Sequence, residues 1–469
     1  MKTIRNVWIL TASAGVVLLA GCRSVGPDYQ APAATVPETW TEGGLAAFAG
    51  GADRDPGWWR ALEDPVLDGL IRRAVEQGPD RREAMARLRE ARALRGVAGA
   101  DRFPTLDATA GFRRADESDF TPFGAQQPGE TNLYAAGLDA TWELDLWGRV
   151  RRAVEAADAE LGAATEDARG VFLAVTAETA LNYVELRAFQ RRVEIARMNV
   201  DLQEQTLDLV RARYDAGFVS ARDLAQASTN VSVTRSRVPA FEAGERAAAN
   251  RLAVLLGLAP GSLAGEIDAG RSIPVPPLAA AVGVPADVVR NRPDIRRAER
   301  ALAAEHARIG VAVGDLYPRL VLDGSIGVAA GDESDLFRSG SEVFGIGPSV
   351  RWNLFDSGRL RRRIQAQDAR VEQALVRWER AVLTGLEETE NAMSSFVREQ
   401  SRRQELLEGA VQARRAVELA RIEYREGQSD FQTVLDSERA LAELEDELAR
   451  TDAAIATQFV VLHKALGSE

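Results

Sequence analysis

The pattern that most constrains this chain is a strand that runs straight into a very long helix, and it occurs twice. "TWELDLWGR" (141–149) and "RWNLFDSGR" (351–359) each alternate apolar and polar residues, then meet a Gly-Arg pair that opens a helical stretch. Trp142 and Trp352 stand 210 residues apart, as do Gly148 and Gly358, Tyr214 and Tyr424, and Gly217 and Gly427. Upstream, Gly78-Pro79-Asp80 answers Arg292-Pro293-Asp294 and Phe103-Pro104 answers Tyr317-Pro318, at an offset of 214. The offset changes once, between Pro104 and Trp142. The chain is therefore an internal duplication whose copies differ in length in a single early loop.

Each copy reads in the same order. A short helix comes first, then two strands, expected at about 104–115 and 131–146 in the first copy and about 318–330 and 343–355 in the second. The clearest is "YAAGLDATWELDL", where Tyr134, Ala136, Leu138, Ala140, Trp142, Leu144 and Leu146 fall on one face and Asp139, Thr141, Glu143 and Asp145 on the other. The acidic loop within each strand pair carries "DESD" and is read as a solvated loop with no chemistry.

After Gly148 and Gly358 the period becomes helical. No proline interrupts 148–216, a stretch that would extend about 100 Å as a helix. Leu181, Ala188, Ile195, Leu202 and Leu209 recur every seven residues, and so do Leu186, Val193, Val200, Leu207 and Tyr214. The two series lie about 200° apart around a helix, which predicts a neighbour on each side, as in a ring, where a two-stranded coiled coil needs one seam. Gly217 and Gly427 sit where a helix ends in a left-handed residue, and Ser220 and Asp430 suit the N-caps of the returning helices. Two long helical hairpins follow, over 148–257 and 358–467.

Four strands cannot close a barrel, and an open apolar sheet edge cannot face lipid, so sheets from several chains must combine. Two chains would give about eight strands with a filled interior, and three about twelve with an aqueous bore. A soluble β-sandwich beside a coiled coil is the competing architecture. It leaves unexplained why a sheet flows into a helix at the same place in both copies.

The ends add a membrane address. Residues 1–21 carry Lys2 and Arg5 before a short apolar core, and Leu19-Ala20-Gly21-Cys22 matches a lipoprotein cleavage site with Cys22 as the acylated residue. Cys22 is the only cysteine, which excludes disulfides and cysteine metal clusters. Arg23 is not the aspartate associated with inner-membrane retention, which favours the outer membrane.

Composition narrows the chemistry. The 58 Lys and Arg against 70 Asp and Glu, a net charge of −12, leave no nucleic-acid footprint. His306 and His463 are the only histidines, neither with neighbours suited to a metal or a triad, and Glu387 and Glu388 read as solvated helical surface. With no phosphate-cradling loop either, no enzyme is expected, and no cofactor beyond a covalent lipid on Cys22.

The ordered motifs "VGPDYQAP", "WWRALEDPVLDGLI", "TWELDLWGR", "NRPDIRRAERALAAEHARIGVA", "YPRL", "FDSGR" and "YREGQSDFQTVLDSERAL" closely resemble the TolC-like outer-membrane efflux factors, best the lipoprotein branch serving RND-type multidrug pumps. The resemblance covers essentially the whole mature chain. It implies an α+β membrane protein: a homotrimer with a twelve-stranded β-barrel, four strands per chain, continued by an α-helical coiled-coil barrel. It also implies residence in the outer membrane and the periplasm, and partners in a periplasmic adaptor, an inner-membrane RND transporter and outer-membrane lipid. On that basis the chain divides into a signal (1–21), a lipidated N-terminal and equatorial segment (22–75), repeat 1 (76–257), an equatorial linker (258–290), repeat 2 (291–467) and two final residues (468–469).

Carried over by position, Gln432, Thr433, Asp436 and Arg439 form a periplasmic gate. Gln432 departs from the bulky apolar residue common there, leaving hydrogen bonds and charge as the closing forces. On spacing alone, Asp436 and Arg439 would be an exposed i, i+3 ion pair. Adaptor docking falls on the hairpin tips, Gly217, Phe218, Val219 and Ser220, and Gly427, Gln428, Ser429 and Asp430. The strand-to-helix junctions are Trp142, Gly148 and Arg149, and Trp352, Gly358 and Arg359. A drug-pump exit duct is the leading expectation. The duct of a type I protein secretion system, or a non-conducting periplasm-spanning lipoprotein, are the alternatives.

Overall fold

The computed structural model describes residues 24–44, 47–48, 57–116, 118, 120, 129–267 and 272–468. Cys22 and the signal expected before it lie outside the described residues. In chain order the main elements are α1 (Pro65–Gln77), α2 (Pro79–Ala100), β1 (Thr105–Asp116), β2 (Glu130–Leu144), α3 (Arg149–Asp215) and α4 (Ala221–Leu255), then α5 (Pro293–Gly314), β3 (Arg319–Ala330), β4 (Glu342–Arg351), α6 (Arg359–Arg425) and α7 (Phe431–Leu466). None of the described helices is long and apolar enough to cross a membrane.

The chain divides into two compact units. The first, built from 24–32, 89–164 and 298–378, holds the sheet and the helical segments that enter and leave it. Its four strands pair antiparallel in the order β1-β2-β3-β4. Thr105 faces Thr141, Trp142 faces Leu322 and Arg319 faces Arg351. The outer edges of β1 and β4 have no strand partner among the described residues.

One face is apolar and open to the surroundings, with Leu106, Phe112, Leu138, Ile326, Phe344, Ile346 and Val350 all exposed. A sheet that leaves its apolar face uncovered has that face against something other than water. The other face is polar: the Thr109 hydroxyl donates to Asp139 over 2.9 Å, and the Ser349 hydroxyl donates to Asp323 over 2.8 Å. In the central ladder Gly137 faces Gly327, and a Cβ on Gly327 would come within 2.5 Å of the Ala136 carbonyl oxygen, so the strands cross there with no room for a side chain.

Both outgoing strands end earlier than alternation predicts. β2 stops at Leu144 and β4 at Arg351, where the expected limits were 146 and 355. The reason is competition for the backbone. The Asp145 carboxylate accepts from the Val150 and Arg151 amides, and Asp356 accepts from those of Gly358 and Leu360. Each aspartate thus caps the coming helix, whose first amides have no intrahelical partner.

The second unit (33–88, 165–297 and 379–468) contains the helical hairpins from Thr165 and Glu379 onward. α3 and α6 are each 67 residues long and unbroken, and α4 and α7 return over 35 and 36 residues. Of the two α3 series, Leu186, Val193 and Val200 are buried within the chain while Leu207 is half-buried and Tyr214 exposed, and in the other Ile195 is buried while Leu181, Ala188, Leu202 and Leu209 are half-buried. Over 186–200 the second seam is the more fully covered by this chain, and the first is partly open apart from Ile195.

Two buried arginines brace this unit. Arg187 donates to the Tyr183 hydroxyl, Gln190 and the Ile267 carbonyl, while Tyr183 donates to Asp64, the cap of α1. Arg292 donates to Asp294, Glu388 and the Ala465 carbonyl, joining the start of α5 to α6 and the end of α7. Glu388 is exposed, as its solvated reading expects, and is also an ion-pair partner of Arg292. His463 stacks flat on Trp58 with ring centres 5.3 Å apart.

Candidate functional site

Each hairpin tip is built by backbone geometry. Gly217 and Gly427 hold φ of 78° and 77°. The next amides reach back over the last turn, Phe218 N to Arg213 O and Gln428 N to Glu423 O, each 2.8 Å. This is the left-handed helix ending in which glycine avoids a Cβ penalty. Ser220 then opens α4 with a reciprocal capping box to Asp223, and Asp430 opens α7 by accepting from the Thr433 amide at 3.0 Å. Phe218 is 75% exposed at the first tip, while Val219 packs against the apolar cluster beneath.

That cluster joins the two hairpins. Val210, Ala227, Ala420, Tyr424, Phe431, Val434 and Leu435 are buried together, drawing on α3, α4, α6 and α7. The Arg213 guanidinium lies 4.7 Å from the centre of the Tyr424 ring and donates to the Tyr424 carbonyl. Burial pushes the Tyr424 hydroxyl upward in pKa, partly countered by the Arg213 charge.

The four expected gate residues share the exposed face of α7's first turns, opposite buried Phe431, Val434 and Leu435. Their hydrogen bonds differ from what spacing suggests. Gln432 donates to Asp436 at 2.8 Å, and the Thr433 hydroxyl is taken up by the Asp430 cap at 2.9 Å. Arg439 donates across to Asn230 on α4, at 3.3 Å. Its hydrogen bond thus ties one hairpin to the other in place of the one-helix ion pair with Asp436.

Sequence reasoning missed Arg213, Asn230 and Glu438 at this end. Glu438 is 2% exposed, with a carboxylate that accepts from the Thr206 hydroxyl. The signal was present: Phe431, Val434, Leu435, Glu438, Leu441 and Ala442 keep the i, i+3, i+4, i+7 spacing of a buried stripe, and Glu438 stands inside it.

The junctions repeat with the same logic. The Trp142 indole donates to the Arg102 carbonyl and the Trp352 indole to that of Leu316, both at 3.0 Å, and the acceptors keep the 214-residue offset. Gly148 and Gly358 hold φ of 81° and 82°. Arg149 clamps Glu143 with two hydrogen bonds of 3.0 and 2.8 Å, while Arg359 remains exposed. Of the acids expected on β2's polar face, Glu143 is thus bound by Arg149 and Asp145 caps a helix, which leaves Asp139. Trp147 stacks on Tyr317 with ring centres 4.9 Å apart. The first junction also holds the N-terminal segment: the Val25 amide donates to the Trp147 carbonyl, and Arg152 donates to Val25 O, Gly26 O and Asp28.

A family model described as outer membrane efflux protein matches residues 70–258 and 284–468, the two repeats and little else. The chain belongs to this family. It is 32% identical to the pyoverdine export outer membrane protein OpmQ of Pseudomonas aeruginosa, over 99% of this chain and 97% of that one. It is 31% identical to nodulation protein T of Rhizobium leguminosarum bv. trifolii, over 96% and 95%. Its fold superposes on the outer-membrane channel OprN with a TM-score of 0.89 at 35% identity, covering 95% of this chain and 99% of that one. The chain is accordingly an outer-membrane efflux protein, with the fold of this family's channels.

Proposed function

We propose that three copies of this chain form the passive exit duct of a tripartite efflux pump, receiving small molecules from an inner-membrane RND transporter through a periplasmic adaptor. The observation that carries the reading is the four-stranded sheet with both outer edges unpaired among the described residues and one exposed apolar face. In lipid such edges must be paired, and three sheets edge to edge supply about twelve strands around a bore. The apolar face then meets lipid, and the Asp139 and Asp323 face meets water. Energy enters through the pump.

In this reading the lipid on Cys22 anchors the segment held by Arg152, the tips around Gly217 and Gly427 receive the adaptor, and Gln432, Asp436 and Arg439 narrow the periplasmic mouth. Thr433 serves the gate indirectly, by fixing the first turn of α7. Small-molecule cargo is supported by a relative named for pyoverdine export and others named for toluene efflux.

The test is conductance. Purified protein is expected to run as a trimer, with cysteines placed along β1 and β4 crosslinking between chains, and to form channels in planar bilayers. The double variant D436A/R439A is expected to raise single-channel conductance. A monomeric protein that forms no channel would sink the duct reading, and an unchanged double variant would remove these two residues from the gate.

A further inference from the structure

Just beyond the apolar cluster at the tips lies a buried polar contact between the hairpins. Glu438 of α7 and Thr206 of α3 are each 2% exposed, and their oxygens are 2.5 Å apart. One turn along α7 lie Val434 and Leu435, and one turn along α3 lies Val210, all buried in the cluster. Of the charged groups on the packed helices, the one acting on Glu438 is Arg421 of α6, whose own Nε is buried without a hydrogen-bond partner. From α3 come the uncharged Thr206 and the buried Gln203, and on α4 the buried polar residues are Asn230 and Thr234, also uncharged. On α7 itself Arg439 is turned to Asn230.

We propose that Glu438 is a proton-dependent latch between the two hairpins: protonated, it holds α7 against α3, and ionised, it favours parting them. The contact suits both states of the acid. With the carboxylate ionised, Thr206 donates to it. With the acid protonated, its hydroxyl donates to Thr206 Oγ1, and Thr206 turns its own proton to the Leu202 carbonyl, 3.3 Å away. The bond survives with its direction reversed while the buried charge disappears.

The sign follows from solvation. Burial raises the Glu438 carboxyl above the usual glutamate range, with the Thr206 hydrogen bond and the Arg421 charge pulling it back only in part. Parted hairpins admit water, and the carboxyl returns toward its ordinary value of about 4.3. The joined form therefore binds the proton more tightly. Joining is favoured as pH falls through the raised value and weakened as pH rises past it. Below the ordinary value both forms are protonated and the dependence ends.

The latch rests on the duct reading only in that parted hairpins open the duct. Its test reads tip geometry directly, so its failure is separable from a failure to conduct. Full-length protein reconstituted in lipid nanodiscs carries spin labels at Ala216→Cys and Glu426→Cys, exposed positions on the two tips, and distances are measured by pulsed electron resonance from pH 5 to 8. The wild type is expected to shift toward longer distances as pH rises, the joined-to-parted ratio changing by up to about tenfold per pH unit for one proton. E438Q is expected to keep the short distance throughout. R421Q removes the charge that lowers the Glu438 pKa and is expected to move the transition to higher pH. A wild-type distribution that ignores pH, or an E438Q protein that keeps the wild-type response, overturns the latch. If E438Q does not assemble, an unmoved transition in R421Q overturns it equally.

Discussion

Replacing Arg292 with methionine removes a single side chain on which α5, α6 and α7 converge. The guanidinium is 6% exposed and makes two hydrogen bonds to Asp294, one to Glu388 and one to the Ala465 carbonyl, at 2.7 to 3.1 Å. Hydrogen bonds to charged groups contribute about 1.5–3 kcal/mol each when their partners stay buried. Here the side chains of Asp294 and Glu388 are 46% and 52% exposed, so water recovers much of what they lose. The Ala465 carbonyl keeps the Thr389 hydroxyl at 3.3 Å. The arginine also gives back its own desolvation cost. The net loss for R292M is then about 2–3 kcal/mol, well below the sum of the bonds.

The same contact has a pH signature. Burial would raise the Asp294 carboxyl, but the hydrogen bonds and charge of Arg292 outweigh it and hold the carboxyl below its usual range. Stability from a depressed carboxylate is fully present above its unfolded value, about 3.9, and is lost as pH falls through the lower folded value. Chemical denaturation of detergent-solubilised protein at pH 7 and pH 3 reads both effects. R292M is expected to be destabilised at pH 7 and to lose less on acidification than wild type, with R292K intermediate, because an ammonium keeps the charge but not the two-pronged contact. R292M within about 0.5 kcal/mol of wild type at pH 7 would refute the reasoning, since that is the range of an unconnected surface position.

Other consequences follow from single contacts. Gly327→Ala forces a Cβ against the Ala136 carbonyl oxygen and is expected to cost about 1–3 kcal/mol, read as a lower midpoint in chemical denaturation. Ser220→Ala removes half of the capping box that opens α4 and is expected to cost about 1 kcal/mol, with faster amide exchange confined to the first turn of α4. Cys22→Ser is expected to abolish the acyl mass shift and release of the mature N terminus, measured by mass spectrometry of the purified protein.

The sequence carried the parts of this fold that are set by period. Alternation located the strands of β1 to β4, the run of heptads located α3, and glycine at 217 and 427 located the tips, because each of these is a local backbone requirement. It misjudged positions where two local requirements compete. Asp145 fits the alternation of β2, but the unsatisfied amides at the start of α3 claim it. Asp436 and Arg439 have ion-pair spacing, yet no property of α7 alone reveals that Asn230 on another helix lies nearer the guanidinium. Glu438 looks like ordinary helical surface, and Glu388, which is surface, gives no hint of Arg292, until the packing of neighbouring helices is known. The chemistry of those side chains depends on contacts between segments roughly 90 to 230 residues apart.

The central ladder of the sheet also fixes an order of events. β2 comes from the first repeat and β3 from the second, so Tyr134 must find Ala330 across almost two hundred residues of intervening chain. A polypeptide that has delivered only its first repeat holds a β1-β2 hairpin whose inner edge has nothing to pair with. Closing so long a loop costs entropy before any ladder contact repays it, and pairings of this separation form slowly. During synthesis and export the duplicated halves cannot mature one after the other as independent domains. The first hairpin must stay soluble until the second arrives, which makes it the segment with most need of a chaperone.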